Sequence, residues 1–321
     1  MKSLLVYALG AALLAASGGA SAQAPAYPTK PVNLIVPYAP GGISDGAARA
    51  IAQKLGEKWK QPVLVINRAG GGTVIGTKEV SAAGSDGHTL LLTSFGYVMN
   101  QVLHKALPYD PKSLVALNMV GLAPNVLYLH PTVPASNVPE LVAYAKANPG
   151  ALKFASSGNA SSPHIAAELF GSITGTNVVH VPYRGTGPAM QDVLGGQVSG
   201  IFDTMQALPH VKAGKLKAIA VAHDQRLSGA PELPTFREAG LLGMVTSSWW
   251  GFFASATTPK SLRRKLFDDI QDVLKQPDLR AKLVQLGLEP TLETQVEFQR
   301  FLDNEVERWT VLIKTRNINL D

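Results

Sequence analysis

Residues Val32 to Arg49 read VNLIVPYAPGGISDGAAR, and the fold follows from them. The apolar run Val32 to Val36 has the length of a buried strand. Pro37, Pro40, Gly41 and Gly42 make a turn. Ser44 or Asp45 then serves as N-cap for a helix carrying Ala47, Ala48, Ala50, Ile51 and Leu55. A strand, a Gly-rich turn and a helix start together form an anion-binding device. The first helical N–H groups lack internal acceptors, and glycine lets a ligand approach the backbone. A plain βα connection with good caps explains the stretch equally well, so the rest of the chain has to decide.

The alternation continues outward. Helix 47–59 leads to a strand at 63–66, glycines 70 to 72, a helix at 74–83 and a strand at 88–93. Thr93-Ser94-Phe95-Gly96-Tyr97 has the character of a second ligand-facing loop. Residues 115–129 read as extended, with a break at Ala123-Pro124-Asn125, which suits a chain passing between two domains. Beyond it, Asn137 caps a helix with Glu140 three residues later. Two more Gly/Ser turns, 158–163 and 183–188, sit at strand-to-helix junctions, and a strand at 198–202 ends on Asp203. Trp249 to Ala254 is a return crossing. Thr258-Pro259 opens an amphipathic helix to Leu274, and Thr294 with Glu297 boxes the start of the last one. In open α/β sheets ligands sit outside the carboxyl ends of strands, so two such units make a cleft.

The chain has 321 residues and is 46% hydrophobic and 16% charged, which is enough for two packed domains. Lys2, the apolar stretch Leu4 to Ala16 and Ala20-Ser21-Ala22 form a signal peptide over residues 1–22, cleaved after Ala22. Export to the periplasm as a soluble protein is the expectation. There are no cysteines, hence no disulfide and no thiolate metal site. Without Lys2, 28 basic residues face 23 acidic ones. That balance suits an anionic ligand weakly and does not suggest nucleic acid. The one dense basic cluster, Arg263-Arg264-Lys265, lies at helical spacing on a solvated face.

Several stretches mimic catalytic motifs. Gly42-Ile43-Ser44-Asp45-Gly46 fits G-x-S-x-G and would make Ser44 a hydrolase nucleophile. The prolines and double glycine make a wide loop rather than a sharp elbow, only one strand precedes it, and no oxyanion segment is present. Gly71 to Lys78, GGTVIGTK, ends with its lysine misplaced for a P-loop. His88, His104, His130, His164, His180, His210 and His223 never come within four residues of each other, so no local metal pair exists. His164 could donate to a ligand or cap and pack its own helix. Arg184 could pair a carboxylate bidentately or join a surface salt bridge. Asp203 could accept from a ligand hydroxyl or amine, or cap the next helix. Trp249 and Trp250 are candidates for a pocket wall, at least one of them belonging to the core.

Tyr27-Pro28-Thr29-Lys30-Pro31, the PYAPGG–D segment at 37–45, SSGNASSPH at 156–164, VPYRGTGPAMQDVLGGQV at 181–198 with Phe202-Asp203, and WWGFFA at 249–254 together resemble the Bug family. These are the extracytoplasmic solute receptors of tripartite tricarboxylate transporters. The match runs in order through essentially the whole chain after the signal peptide.

The resemblance implies an α/β periplasmic binding protein of type II, a Venus flytrap. Each domain would be a mostly parallel sheet flanked by helices, with two crossing strands between them. Domain 1 would comprise 23–123 and 248–321, and domain 2 residues 124–247. Backbone groups and bridging waters of both domains would hold a small organic carboxylate. Carried onto this chain, the ligand residues are Tyr38, Ala39, Pro40, Gly41, Gly42 and Asp45 in the first domain. In the second they are Ser157, Gly158, Asn159, Ser161 and His164, with Arg184, Gly185 and Asp203 nearby. Ser94 and Phe95 lie in a loop that varies across the family. No catalytic residue, metal or cofactor is implied. A monomer that delivers its ligand to the membrane subunits of the transporter is expected, with a serine hydrolase or a periplasmic ligand sensor as the alternatives. A di- or tricarboxylate, an amino acid and an aromatic acid against Phe95, Tyr97 and Trp250 remain equally open as ligands.

Overall fold

The computed structural model describes residues 27–227 and 229–315, so the expected signal peptide lies outside the described residues. The chain builds two mixed sheets flanked by helices. The first contains β1 (Val32–Val36), β2 (Val63–Asn67), β3 (Thr89–Ser94) and β4 (Leu114–Pro124). The second contains β5 (Val126–Leu129), β6 (Lys153–Ser156), β7 (Val179–Pro182), β8 (Gly200–Asp203) and β9 (Lys217–Val221). The chain then returns to the first sheet with β10 (Ser247–Ser255) and the short β11 (Glu289–Pro290). The orders are β11-β4-β10-β3-β1-β2 and β7-β6-β8-β5-β9. β1 pairs in parallel with β2 and β3, whereas β10 runs antiparallel between β3 and β4. β6 is parallel to β7 and β8, whereas β5 is antiparallel to β8 and β9. The sheets are thus less uniformly parallel than the sequence suggests, and the crossing segments supply most of the reversed pairings.

Alternation along the strands explains the layers. Val32, Leu34, Val36, Leu90 and Leu92 point to one face of the first sheet, under helices Ile43–Trp59, Lys260–Leu274 and Pro277–Gln285. Ile35, Leu91, Met119 and Phe253 point to the other, under helices Gly96–Leu103 and Gln295–Thr315. In the second sheet Leu127, Phe154 and Phe202 pack with Phe170 of helix Ser162–Thr174. Val126, Tyr128, Ala155 and Ile201 pack with Ala189 and Val193 of helix Thr186–Leu194.

The first helix begins at Ile43, four residues before Ala47, with Gly42 as N-cap. Ser44 and Asp45 therefore lie inside its first turn. Thr294 and Glu297 do form a reciprocal box, Thr294 N–H donating to the Glu297 carboxylate at 2.8 Å and Glu297 N–H to Thr294 Oγ1 at 3.2 Å. Asn137 accepts from Glu140 N–H at 2.9 Å, as its spacing predicts.

Candidate functional site

β4 runs the same way as β1 and β3, because β10 lies antiparallel to both β3 and β4. Its last residue, Pro124, therefore ends on the sheet edge where β1 and β3 also end. β5 starts at Val126, which pairs with Asp203, the last residue of β8. β6 and β7 end on that same edge of the second sheet. The loops after β1 and β3 and the loops after β6, β7 and β8 consequently lie on the sheet edges that face the crossing, one set from each sheet.

Asn125 is the buried residue between them. Its side-chain amide donates to Ser162 Oγ at 2.6 Å and to Thr246 Oγ1 at 2.9 Å. Its backbone bonds Thr246 and Ala222, which fastens both crossings together. Arg308 of the last helix adds a brace by donating to the Val245 carbonyl. The loop between helix Pro277–Gln285 and β11 reaches the second set: a β-carbon at Gly287 would stand 3.0 Å from Thr204 Oγ1.

In the first set, Ala39, Pro40, Gly41 and Gly42 are exposed and Tyr38 is half-buried. Asp45 is 5% exposed and organises the loop. One of its carboxylate oxygens accepts from Gly41 N–H at 3.0 Å and from Arg49 Nε at 3.0 Å, and the other from the Asn67 amide at 3.1 Å. Burial alone would raise its pKa, but these donors hold it below the usual carboxylate range. The Asn67 amide also donates to the Tyr38 carbonyl. Burial pushes the Tyr38 phenol up to about 12, against Ser94 and the Gly96 backbone. Asp45 thus shapes the turn from behind, and the Gly41 amide is already engaged.

The segment 93–97 corrects a sequence expectation. β3 extends through Ser94 and a helix begins at Gly96, so no open loop stands there. Phe95 is 3% exposed, with its ring edge-on to Trp309 at 5.5 Å. Tyr97 packs on Phe253, and Trp249 and Trp250 are both buried. These aromatics are core and do not line a pocket for an aromatic acid. Ser44 Oγ accepts from the Trp250 indole at 2.8 Å. A nucleophilic serine needs a base beside it, and this one is held by a donor.

In the second set, helix Ser162–Thr174 starts behind Gly158, whose φ of 132° is open to glycine alone. Ser161 Oγ donates back to the Gly158 carbonyl at 2.6 Å. His164 is 2% exposed and its Nδ1 accepts from Ala160 N–H at 3.0 Å, fixing Ala160 at a φ of 58°. Its ring stacks on His180 with centroids 3.5 Å apart. Burial and the neighbouring ring push His164 down to about 3, and burial pushes His180 down to about 4. His164 is therefore a neutral, packed acceptor that caps the loop, not a cationic donor. The side chains of Ser157, Asn159 and Arg184 make no hydrogen bond or ion pair among the described residues. Asn159 and Arg184 are exposed, and Gly185, at a φ of 111°, opens helix Thr186–Leu194. Asp203 is 6% exposed, and burial pushes its carboxyl up to about 6.

Asn125, Ser162 and Thr204 were not singled out by sequence reasoning, although the Pro124-Asn125 break marked the place. Among the described residues no cluster of metal-ligating side chains occurs and no helix is long and apolar enough to cross a membrane.

The arrangement is matched by known proteins. BugT of Bordetella pertussis is 33% identical over 320 residues, covering 98% of each chain. The solved periplasmic binding protein BugD is 32% identical, with a TM-score of 0.83 over 91% of this chain and 99% of its own. MatC of Rhodopseudomonas palustris, solved with bound malate, is 30% identical, with a TM-score of 0.80 over 89% of this chain and 100% of its own. The profile described as "Tripartite tricarboxylate transporter family receptor" matches residues 47–318. The chain therefore belongs to the tripartite tricarboxylate transporter receptor family.

Proposed function

We propose that the protein is a periplasmic receptor that captures a small organic carboxylate between its two sheets and hands it, unaltered, to the membrane subunits of a tripartite tricarboxylate transporter. The observation that carries this reading is that two sets of Gly-rich strand-to-helix turns lie on the sheet edges facing the Asn125 crossing. Each helix start offers N–H groups without internal acceptors, and a carboxylate can be held by such dipoles without burying a cation. The domains would be 23–123 with 248–321, and 124–247. Malate in the related MatC supports the ligand class.

Closing of the domains would add contacts that an open form lacks, and only that difference can favour the closed state. The protein would act as a monomer. A panel of organic acids screened by thermal shift and small-angle X-ray scattering tests the reading. At least one acid is expected to raise the melting temperature and reduce the radius of gyration. Silence across the whole panel would refute it, and turnover of an ester by the purified protein would point to a hydrolase instead.

A further inference from the structure

This inference rests on the receptor reading and narrows its ligand. The groups that can meet an anion at the crossing are donors: the N–H groups that open helices Ser162–Thr174 and Thr186–Leu194, and the Arg184 guanidinium. Asp203 is the exception. It closes β8 opposite Val126, and the pairing of Ala155 with Ile201 carries Ser157, the first residue past the end of β6, toward its level.

Its bonding is incomplete. One carboxylate oxygen accepts from Thr204 N–H at 2.8 Å. The other oxygen has no hydrogen-bond partner among the described residues, and it is not one of the side-chain atoms sealed from solvent. Among the described residues no cation pairs with it and Thr204 N–H is the one neighbour that favours its charge, while burial pushes its pKa up to about 6. The helix-capping role that its position suggests belongs to Thr204, whose hydroxyl accepts from Gln206 N–H. The nearby Tyr128 hydroxyl donates to the Thr204 carbonyl and not to the acid. Asp45, by contrast, has both oxygens occupied. A carboxylate can accept about four hydrogen bonds, so Asp203 keeps acceptor capacity that water or a ligand donor can fill.

We propose that Asp203 is a specificity residue, its free oxygen accepting from a hydroxyl or ammonium group that the ligand carries in addition to its carboxylate. A plain dicarboxylate would bring only negative charge toward it. A hydroxy acid or amino acid supplies the missing donor, and a site built around a polar partner discriminates strongly against the analogue that lacks it.

The test is isothermal titration of the purified protein with two matched series: succinate, malate and aspartate, and glutarate, 2-hydroxyglutarate and glutamate. In at least one series the hydroxyl or amino member is expected to bind about tenfold or more tightly than the unsubstituted acid. Asp203→Ala should erase that preference. Asp203→Asn, which keeps shape and one acceptor, should lose the preference for ammonium while folding normally by circular dichroism. Unsubstituted acids that bind as well as their substituted partners would overturn the inference and leave the receptor reading intact. So would a preference that survives in both variants. If no acid of either series binds while another acid of the wider panel does, the inference falls and the receptor reading stands; if the whole panel is silent, both fall.

Discussion

The two sets of turns that face the crossing are built in opposite ways. After β1, the polar groups satisfy one another: Asp45 holds Gly41, Arg49 and Asn67, and Trp250 holds Ser44. After β6, β7 and β8 the inner groups are locked, with His164 on Ala160, but Ser157, Asn159 and Arg184 remain uncommitted and Asp203 is half satisfied. One side is a preformed backbone frame. The other keeps side chains in reserve, which is where the proposed receptor would read differences between ligands. Preorganisation lowers the ordering cost of binding, and reserve groups supply selectivity.

That contrast can be broken by acid first. His164 and His180 are held neutral, down to about 3 and about 4, whereas an unfolded histidine titrates near 6.5. As pH falls below 6.5 the unfolded chain takes up protons that the folded rings refuse, so stability declines until the folded rings titrate near 4. Urea unfolding should show a loss of roughly 3 kcal/mol between pH 7 and pH 4.5. His180→Phe should flatten the decline. Asp203 works with the opposite sign, because its raised pKa lets the folded state hold a proton between about 4 and about 6, and it offsets part of the loss.

Asp45→Ala comes next. It removes the acceptor of three groups at once and should cost about 2 kcal/mol in denaturant unfolding. The same variant should weaken binding of every acid alike, since the frame and not a ligand contact is lost. Ser44→Ala is milder: it leaves the buried Trp250 N–H without its acceptor, for about 1 kcal/mol. Its affinity for acids should be unchanged, and no esterase activity should be present to lose. The smallest stability effect is expected of Arg184→Ala, within about 0.5 kcal/mol, because the side chain is exposed and unpaired. Its effect should appear instead as a loss of affinity by titration calorimetry. If Arg184→Ala destabilised the fold while Asp45→Ala did not, the contrast would be reversed.

Much of this organisation was readable from the chain. Strand-to-helix alternation, the glycine turns, the Asn137 and Thr294 caps and the break at Pro124-Asn125 all rest on neighbours within a few residues. What was hidden depends on partners far apart in sequence. The outward reading of Phe95 failed because Trp309 covers it from the last helix. Both Trp249 and Trp250 are buried because helices cover both faces of β10, a fact that local spacing does not carry. His164 reads as a possible donor until His180 is seen stacked on it. Helix Gly96–Leu103 is hidden because its start lies inside the segment that reads as a loop, and helix Pro277–Gln285 follows directly on Lys260–Leu274.

The amide of Asn125 has one further implication. It grips Ser162, the first residue of a helix whose start opens onto the crossing, so fulcrum and anchor lie almost at one point. In a rigid swing, displacement grows with distance from the axis. A molecule seated beside Asn125 would hardly travel while the outlying edges sweep widely. Occupancy at the centre would thereby be magnified into a change of outline at the periphery, where a membrane protein could feel it.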